Sequence, residues 1–322
     1  MSAIKINVLS KREDKSFHAN HLHLQINGND INHVIINTLR RTILEEIPSY
    51  GFDLDKINIK SNNSVYNNDY IRNRIENFPI HNLENDFNLE EYDQLRSSYL
   101  NNIYDDENNI NNYDLLNLHL KKENLTDDIL NITTDDCDFY LKGKKVNSIY
   151  NNPLLVCKLK KNEKLELSAV AKKDIPLKHA KYSPVSICCY KMNNENEFVL
   201  KFENRDQIKN KDILNRACQI IIFRLEQLKK KLLSNKFSSD SYGNIILENE
   251  THTLGNLISR FLQDNKDIEY AAYKMDHLLI KELTIEYKIA NNKNINSILK
   301  SSIDEIIQIY KELIKKFEAV KY

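Results

Sequence analysis

Glycine is scarce in this chain. There are five in 322 residues: Gly28, Gly51, Gly143, Gly243 and Gly255. No GxxxxGK[ST] loop can be assembled from them, and there is no GxSxG elbow and no HExxH helix, so phosphate-cradling, serine-hydrolase and zinc-protease chemistry are excluded at the motif level. No charge sign dominates. Forty-six Lys and Arg balance 46 Asp and Glu, a formal net charge of 0, which disfavours autonomous nucleic-acid binding. No apolar run approaches the roughly 18 residues of a membrane span, and the start MSAIKINVLSKRED lacks a signal-peptide core. The five cysteines form no CxxC pair and read as structural thiols of a reducing compartment. His18, His21 and His23 cluster in FHANHLHL without a third ligand type nearby, so a strand with polar positions is expected there rather than a metal site.

What is present begins with the placement of those glycines. Four read as turns: Gly28 in INGND, Gly51 after Pro48, Gly143 in LKGKK and Gly243 in SSDSYGN. Gly255 sits inside a helical pattern, THTLGNLI, with Thr253 as the expected cap and Leu254, Leu257, Ile258, Phe261 and Leu262 following at helical spacing. A glycine there costs about 1 kcal/mol against alanine. Either the cost is tolerated near a helix end, or another backbone passes too closely for a side chain.

Along the chain, HLHLQI alternates as a half-buried strand. A helix follows, capped by Asn29 or Asp30, on Ile31, Val34, Ile35, Leu39, Ile43 and Ile47, and Pro48 stops it. FDLDKINIK reads as an alternating strand, with Asp53 and Asp55 on one solvent-facing side. Residues 84–138 hold fifteen acidic against three basic residues among repeated asparagines, the composition of a solvated insertion rather than a core. Strands return in PLLVCKLK, KLELSAVAK, HAKYSPVSICCYK and NEFVLKFEN. A long helix from about Lys211 then carries a seam on Leu214, Ala217, Ile221, Leu225, Leu228 and Leu232. SNKFSSDSYGN reads as a linker. After it the plan repeats: strand NIILEN, a short helix, strands IEYAAYK and KELTIEYKIA, and a final helix from about Asn294 to Phe317 on Ile295, Leu299, Ile303, Ile306, Tyr310, Leu313 and Phe317.

Two copies of strand, short helix, strands and long helix predict an α+β protein. Its two related dimerisation domains pack about a pseudo-twofold axis as an intramolecular pseudo-heterodimer. The pairing faces carry Leu39 and Ile43, Leu225 and Leu228 in the first copy. In the second they carry Leu254, Gly255, Leu257, Ile306 and Leu313. The expected division is 1–55 and 166–234 for the first domain, 56–165 for an interrupting β-containing insert, 235–243 for the linker and 244–322 for the second domain. Gly255 is then expected to admit the first short helix at close range.

The segment NTLRRTILEEIPSYGFDLDKINIKSNNSVYNNDYIRNRIENFPI, together with HAKYSPV, resembles the alpha-like subunit of multisubunit DNA-directed RNA polymerases. That family includes the bacterial alpha subunit, the archaeal D subunit and the third-largest eukaryotic subunit. ETHTLGNLISRFLQDNKDIEYAAYKMDHLL is similar to the small partner, the archaeal L or eleventh eukaryotic subunit. One chain carrying both resembles the fused subunit of nucleocytoplasmic large DNA viruses.

The resemblance implies a non-catalytic assembly scaffold that holds the largest and second-largest subunits, with small accessory subunits as further partners. It implies no membrane and no sequence-specific nucleic acid. No cofactor or metal is expected in this chain; the magnesium-binding aspartate cluster of the catalytic subunits is absent from it. By carry-over, Arg40, Arg41, His179, Lys181 and Pro184 are the expected large-subunit contacts. The cysteine-bound zinc or iron–sulfur cluster that some relatives hold in the insert is not expected, because the insert is read as holding Cys137 alone. For a viral protein the resemblance implies an intracellular location, in a cytoplasmic factory or the virion, with the nucleus left open. A free-standing alpha-like regulator is the alternative, and a genome encoding separate alpha-like and small subunits would favour it.

Overall fold

The computed structural model describes residues 4–14, 19–81, 83, 86–101, 116–234, 241–277, 282–290 and 294–321. His18, the hydrophobic pair after His277 and linker positions 235–240 lie outside them, as does 102–115 of the acidic stretch.

The first half opens with β1 (Lys5–Asp14) and β2 (Ala19–Asn27), then α1 (His33–Glu45). The cap of α1 is Asn32, not Asn29 or Asp30: its Oδ1 accepts from the backbone N–H of Val34 and Ile35, both at 3.0 Å. The insert follows. It contains β3 (Ser49–Phe52), β4 (Asn58–Asn62), α2 (Asn68–Glu76), α3 (Leu89–Leu100), β5 (Leu116–Glu123), β6 (Leu130–Thr133), β7 (Asp138–Leu141), β8 (Lys144–Val146), β9 (Leu155–Leu159) and β10 (Lys164–Asp174). The first half then resumes with β11 (Val185–Asn194), β12 (Glu197–Asn204) and α4 (Asn210–Ser234). The second half is β13 (Tyr242–Glu248), α5 (His252–Gln263), β14 (Ile268–Lys274), β15 (Glu282–Ile289) and α6 (Ile295–Ala319).

The duplication is visible in the sheets. The first-half sheet has the order β1-β2-β12-β11 and the second β13-β15-β14, all antiparallel. Without β1, the two orders are the same. Each sheet buries alternate residues under its helices: Leu22, Leu24 and Ile26 on β2, Ile245 and Leu247 on β13. One continuous core joins both halves, and the insert has its own around a six-stranded sheet.

Several expectations are corrected by packing. FDLDKINIK is not one strand: β3 ends at Phe52, a short 3-10 turn spans Leu54–Lys56, and β4 begins at Asn58. Asp53 is not solvent-facing; it is buried and pairs with Lys172 at 3.1 Å. Because β3 pairs with β10, the insert sheet reaches back before residue 56 and beyond 165. The acidic stretch is not uniformly solvated. Tyr92 on α3 is fully buried in the joint core, and β5 to β7 build the insert core. Tyr242 and Gly243 belong to β13 rather than a linker. Gly51 and Gly243 are strand residues lying beneath the rings of Tyr182 and Tyr287. Of the glycines, Gly143 has a positive φ, 74°.

Gly255 does permit a close approach, but of a side chain of its own half rather than of another backbone. A Cβ there would clash with Leu283 on β15, 3.0 Å from Cδ2 and 3.1 Å from Cγ, while Leu283 itself is fully buried. α1 does pack on α5; the missing side chain serves the α5–β15 contact instead. The helix starts at His252 with Thr251, not Thr253, at the cap position. Gly255→Leu is therefore expected to destabilise the second half by about 1–3 kcal/mol through overpacking. Hydrogen exchange should rise first in β15; a rise confined to α1 would restore the cross-half reading.

Candidate assembly interface

The two halves meet along buried side chains that follow the helical period. Leu39 and Ile43 on α1, Leu225 and Leu228 on α4, Leu254 and Leu257 on α5, and Ile306 and Leu313 on α6 all lie in the joint core. α4 packs along α6. Polar ties cross the seam. Tyr310 Oη donates to Ile35 O at 3.0 Å, and Ile4 N–H donates to Glu312 Oε1 at 3.2 Å. Burial, with Cys218 adding to it, raises the Tyr310 phenol well above its usual range, so it remains a donor. Lys229 pairs with Asp304 at the more exposed end.

Between the end of α1 and the turn before α5 lies an ionic cluster. Arg224 on α4 is 5% exposed. Its Nη1 donates to Glu46 Oε1 at 2.7 Å and its Nη2 to Glu250 Oε2 at 2.5 Å. Glu46 ends α1, and Glu250 precedes α5, so one guanidinium joins the halves. Burial alone would lower the Arg224 pKa, but the two carboxylates outweigh it and hold the charge. The insert completes the cluster through α3. Tyr92 Oη donates to Glu46 Oε2 at 2.5 Å, and Arg96 Nη2 donates to Asn249 O at 3.0 Å and lies 3.5 Å from Glu250 Oε1. Two arginines and two glutamates balance, as a buried set must. The phenol of Tyr92 is raised well above its usual range by burial and then by Glu46.

Sequence reasoning missed this cluster. Its signal is in α4, whose IIIFR run (Ile220 to Arg224) extends apolar character beyond the seam and interrupts it with one arginine. A helix apolar on more than one face needs more than one cover. α3 and the residues before it supply it: Tyr92 packs edge-on to Phe223 at 6.4 Å, and Phe87, just ahead of the helix, lies under the Arg216 guanidinium at 5.4 Å.

The expected large-subunit contacts divide. Residues 177–183 dock on the last turn of α1: Leu177 N–H donates to Glu45 O at 3.0 Å and the Ser183 hydroxyl to Leu44 O at 3.3 Å. This brings the HAKYSPV turn to the helix that carries Arg40 and Arg41. Arg40 is half-buried and donates to Asn37 Oδ1 at 3.0 Å; Arg41 is half-exposed and pairs with Glu45 at 3.1 Å. His179 is exposed, and its Nδ1 accepts from Lys181 N–H at 3.1 Å. Lys181 itself is turned inward. Its Nζ is 2.8 Å from Glu76 Oε1, with both side chains under 10% exposed, and it lies over the Tyr182 ring. Pro184 is buried, and its carbonyl accepts from Arg205 N–H at 2.9 Å. Lys181 and Pro184 thus fix the turn against α2 and the end of β12, while His179 faces outward and Arg41 is partly open, its side chain 32% exposed. Arg205, which the sequence did not single out, donates to Lys181 O and Asn77 O, both at 3.4 Å, tying the insert to the first half.

The insert core holds two cysteines, not Cys137 alone: Cys157 on β9 is buried there as well. Burial pushes their thiols up to about 12 and about 11 respectively. Among the described residues no group of three or more His, Cys, Asp or Glu is placed to hold a metal ion. No described helix is long and apolar enough to cross a membrane.

Two family descriptions match this architecture. The RNA polymerase Rpb3/Rpb11 dimerisation domain matches residues 26–225, and a second form of the same domain matches residues 242–316. The chain is 29% identical to a putative DNA-directed RNA polymerase subunit of Acanthamoeba polyphaga mimivirus, over 96% of this chain and 92% of that one. It is 27% identical to DNA-directed RNA polymerase II subunit RPB3 of Schizosaccharomyces pombe, over 51% of this chain and 54% of that one. It is 29% identical to the DNA-directed RNA polymerase RPB3-11 homolog of African swine fever virus, over 33% of each.

Lys181→Ala leaves the Glu76 carboxylate buried without its cation and is expected to cost about 3–5 kcal/mol, whereas Lys181→Met with Glu76→Leu should recover most of that loss. Thermal or denaturant melts of the three proteins check the pairing. Thiol alkylation at pH 8 separates the cysteines. Exposed Cys189 should react promptly, and the four buried thiols only on unfolding, because a thiol held protonated by burial is a poor nucleophile.

Proposed function

This chain belongs to the RNA polymerase Rpb3/Rpb11 dimerisation-domain family, and from that premise we propose that it is a non-catalytic assembly scaffold of a DNA-directed RNA polymerase in which one polypeptide fills both places of the alpha-like pair. The observation that carries the reading is the single core shared by two halves of the same strand order. A near full-length match to a viral polymerase subunit supports it. The chain acts by shape. It presents a rigid, pre-joined surface on which the large subunits assemble without first waiting for two small chains to meet.

The end of α1 and the 177–183 turn form the proposed contact for the second-largest subunit. What supports this is the exposure of His179 and the partial exposure of Arg41, whose guanidinium can take a carboxylate across an interface in addition to Glu45. Catalysis and its magnesium belong, on this reading, to the large subunits; small accessory subunits and a viral transcription setting complete it.

Affinity purification of the tagged chain from its native setting is expected to recover the two large polymerase subunits with one copy of this chain. Recovery without them, or of two copies alone, would overturn the scaffold reading. Arg41→Glu with His179→Glu should lower that recovery at least tenfold while leaving the melting temperature of the free chain within a few degrees. Unchanged recovery would move the contact elsewhere on the surface.

A further inference from the structure

Each half has a counterpart for every element of its repeat, so the ionic cluster can be compared with the equivalent place across the pseudo-twofold axis. The residue immediately before the helix cap is Ile31 in the first half and Glu250 in the second. On the long helices one constant spacing relates Leu214 to Leu299, Ile221 to Ile306 and Leu228 to Leu313, and also Glu197 on β12 to Glu282 on β15. By that spacing, Arg224 corresponds to Ile309.

The two symmetry-related contacts therefore differ in kind. Where α4 meets the turn before α5, Arg224 Nη2 donates to Glu250 Oε2 at 2.5 Å. Where α6 meets the turn before α1, Ile309 lines a small cleft with Asn29, Asp30 and Asn32. Ile31 and Ile309 lie in the joint core, 0% and 7% exposed.

We propose that Arg224 and Glu250 act as a specificity key: the pairing surface of the first half accepts a second-half surface and rejects a copy of itself. In a pair of first halves, each Arg224 would meet the Ile31 turn of the other. Glu46 would remain the sole buried carboxylate for both Arg224 and Arg96, because Asp30, the carboxylate of the Ile31 turn, is exposed. In a pair of second halves, each Glu250 would face Ile309 with no cation at all. The native pairing avoids both penalties: on one side of the axis the buried charges balance, and on the other Ile31 and Ile309 are the buried side chains, with Asp30 and Glu305 at the exposed rim of the cleft. Discrimination of this kind acts through the cost of the wrong partner more than through the strength of the right one. A duplicated fold needs such a device, since two nearly equivalent surfaces otherwise pair in any combination, within one chain or between chains.

The inference rests on the chain being two joined halves, and not on the polymerase that contains it. It is tested on the purified protein, so its failure is separate from failure of the scaffold reading. The full-length chain, with a protease site introduced between Ser234 and Tyr242, is folded, cut and incubated, and native mass spectrometry reads which pieces associate. The native sequence is expected to give complexes of one N-terminal and one C-terminal piece. Arg224→Ile with Glu250→Ile removes the key, and homotypic complexes should rise at least tenfold. Ile31→Glu with Ile309→Arg removes the same asymmetry by making both sides ionic, with the same expected rise. Homotypic pairs as abundant in the native protein as in the variants would overturn the proposal. So would variants that fold and still give one-to-one pairs alone. If uncut Arg224→Ile/Glu250→Ile lacks the native circular dichroism, the pair serves the fold rather than the choice of partner, and the proposal also fails.

Discussion

A buried guanidinium dictates much of this architecture. Arg224 is nearly inaccessible, and an arginine does not shed its proton to escape that environment. Carboxylates have to come to it. Glu46 is delivered by the end of α1 and Glu250 by the turn before α5, so the position of both short helices is tied to one side chain of α4. Each glutamate then needs more than one donor. Tyr92 and Arg96 supply these from α3, which brings a helix of the insert onto the dimerisation core. The insert is consequently part of the joint between the halves as well as a domain with its own core.

The elements legible in the sequence were those whose apolar spacing follows the helical period without a buried charge in it. In α1, α5 and α6 that spacing gave their location and most of their pairing residues. The failures have a common cause, a partner distant in sequence that the local pattern does not announce. α3 is acidic by composition, yet Tyr92 is driven inward because α4 has a further apolar face to cover. Lys181 looks like a surface cation until Glu76, more than a hundred residues earlier, approaches it. Gly255 signalled a close neighbour correctly, but nothing local distinguished a strand of its own half from a helix of the other. Of the outward patch, the proximity of the HAKYSPV turn to α1 came from family resemblance; spacing alone cannot bring Ser183 to Leu44.

The scarcity of glycine has a structural counterpart in asparagine. Asn162 and Asn249 take positive φ, 63° and 60°, in places where glycine is the commoner choice. Asn32, Asn67, Asn88 and Asn294 cap α1, α2, α3 and α6. Three loops are built alike around one amide. Asn62 donates to Tyr66 O and accepts from Ser64 N–H, Asn124 donates to Asp128 O and accepts from Thr126 N–H, and Asn204 donates to Ile208 O and accepts from Asp206 N–H. Asn124 and Asn204 are each 1% exposed, so these amides are enclosed parts of the loops they hold. The abundant asparagine thus carries caps and turns that other sequences assign to glycine, serine and aspartate.

Two related domains in one chain impose one more constraint, which bears on why the halves are not alike where they touch. Symmetric surfaces carry no information about which copy they should meet. Here the asymmetry is concentrated on the first half: among the described residues it alone has a β1 strand, the insert and the buried arginine. The second half, with a three-stranded sheet and two helices, contributes apolar surface, the carboxylates of Glu250, Asp304 and Glu312, and the Tyr310 hydroxyl. That division suits a scaffold. The elaborated half can present distinctive outward features, while the simpler half closes the core and completes the charge balance. The polar groups that fix their union are buried at the joint, where water competes least and a wrong partner costs most.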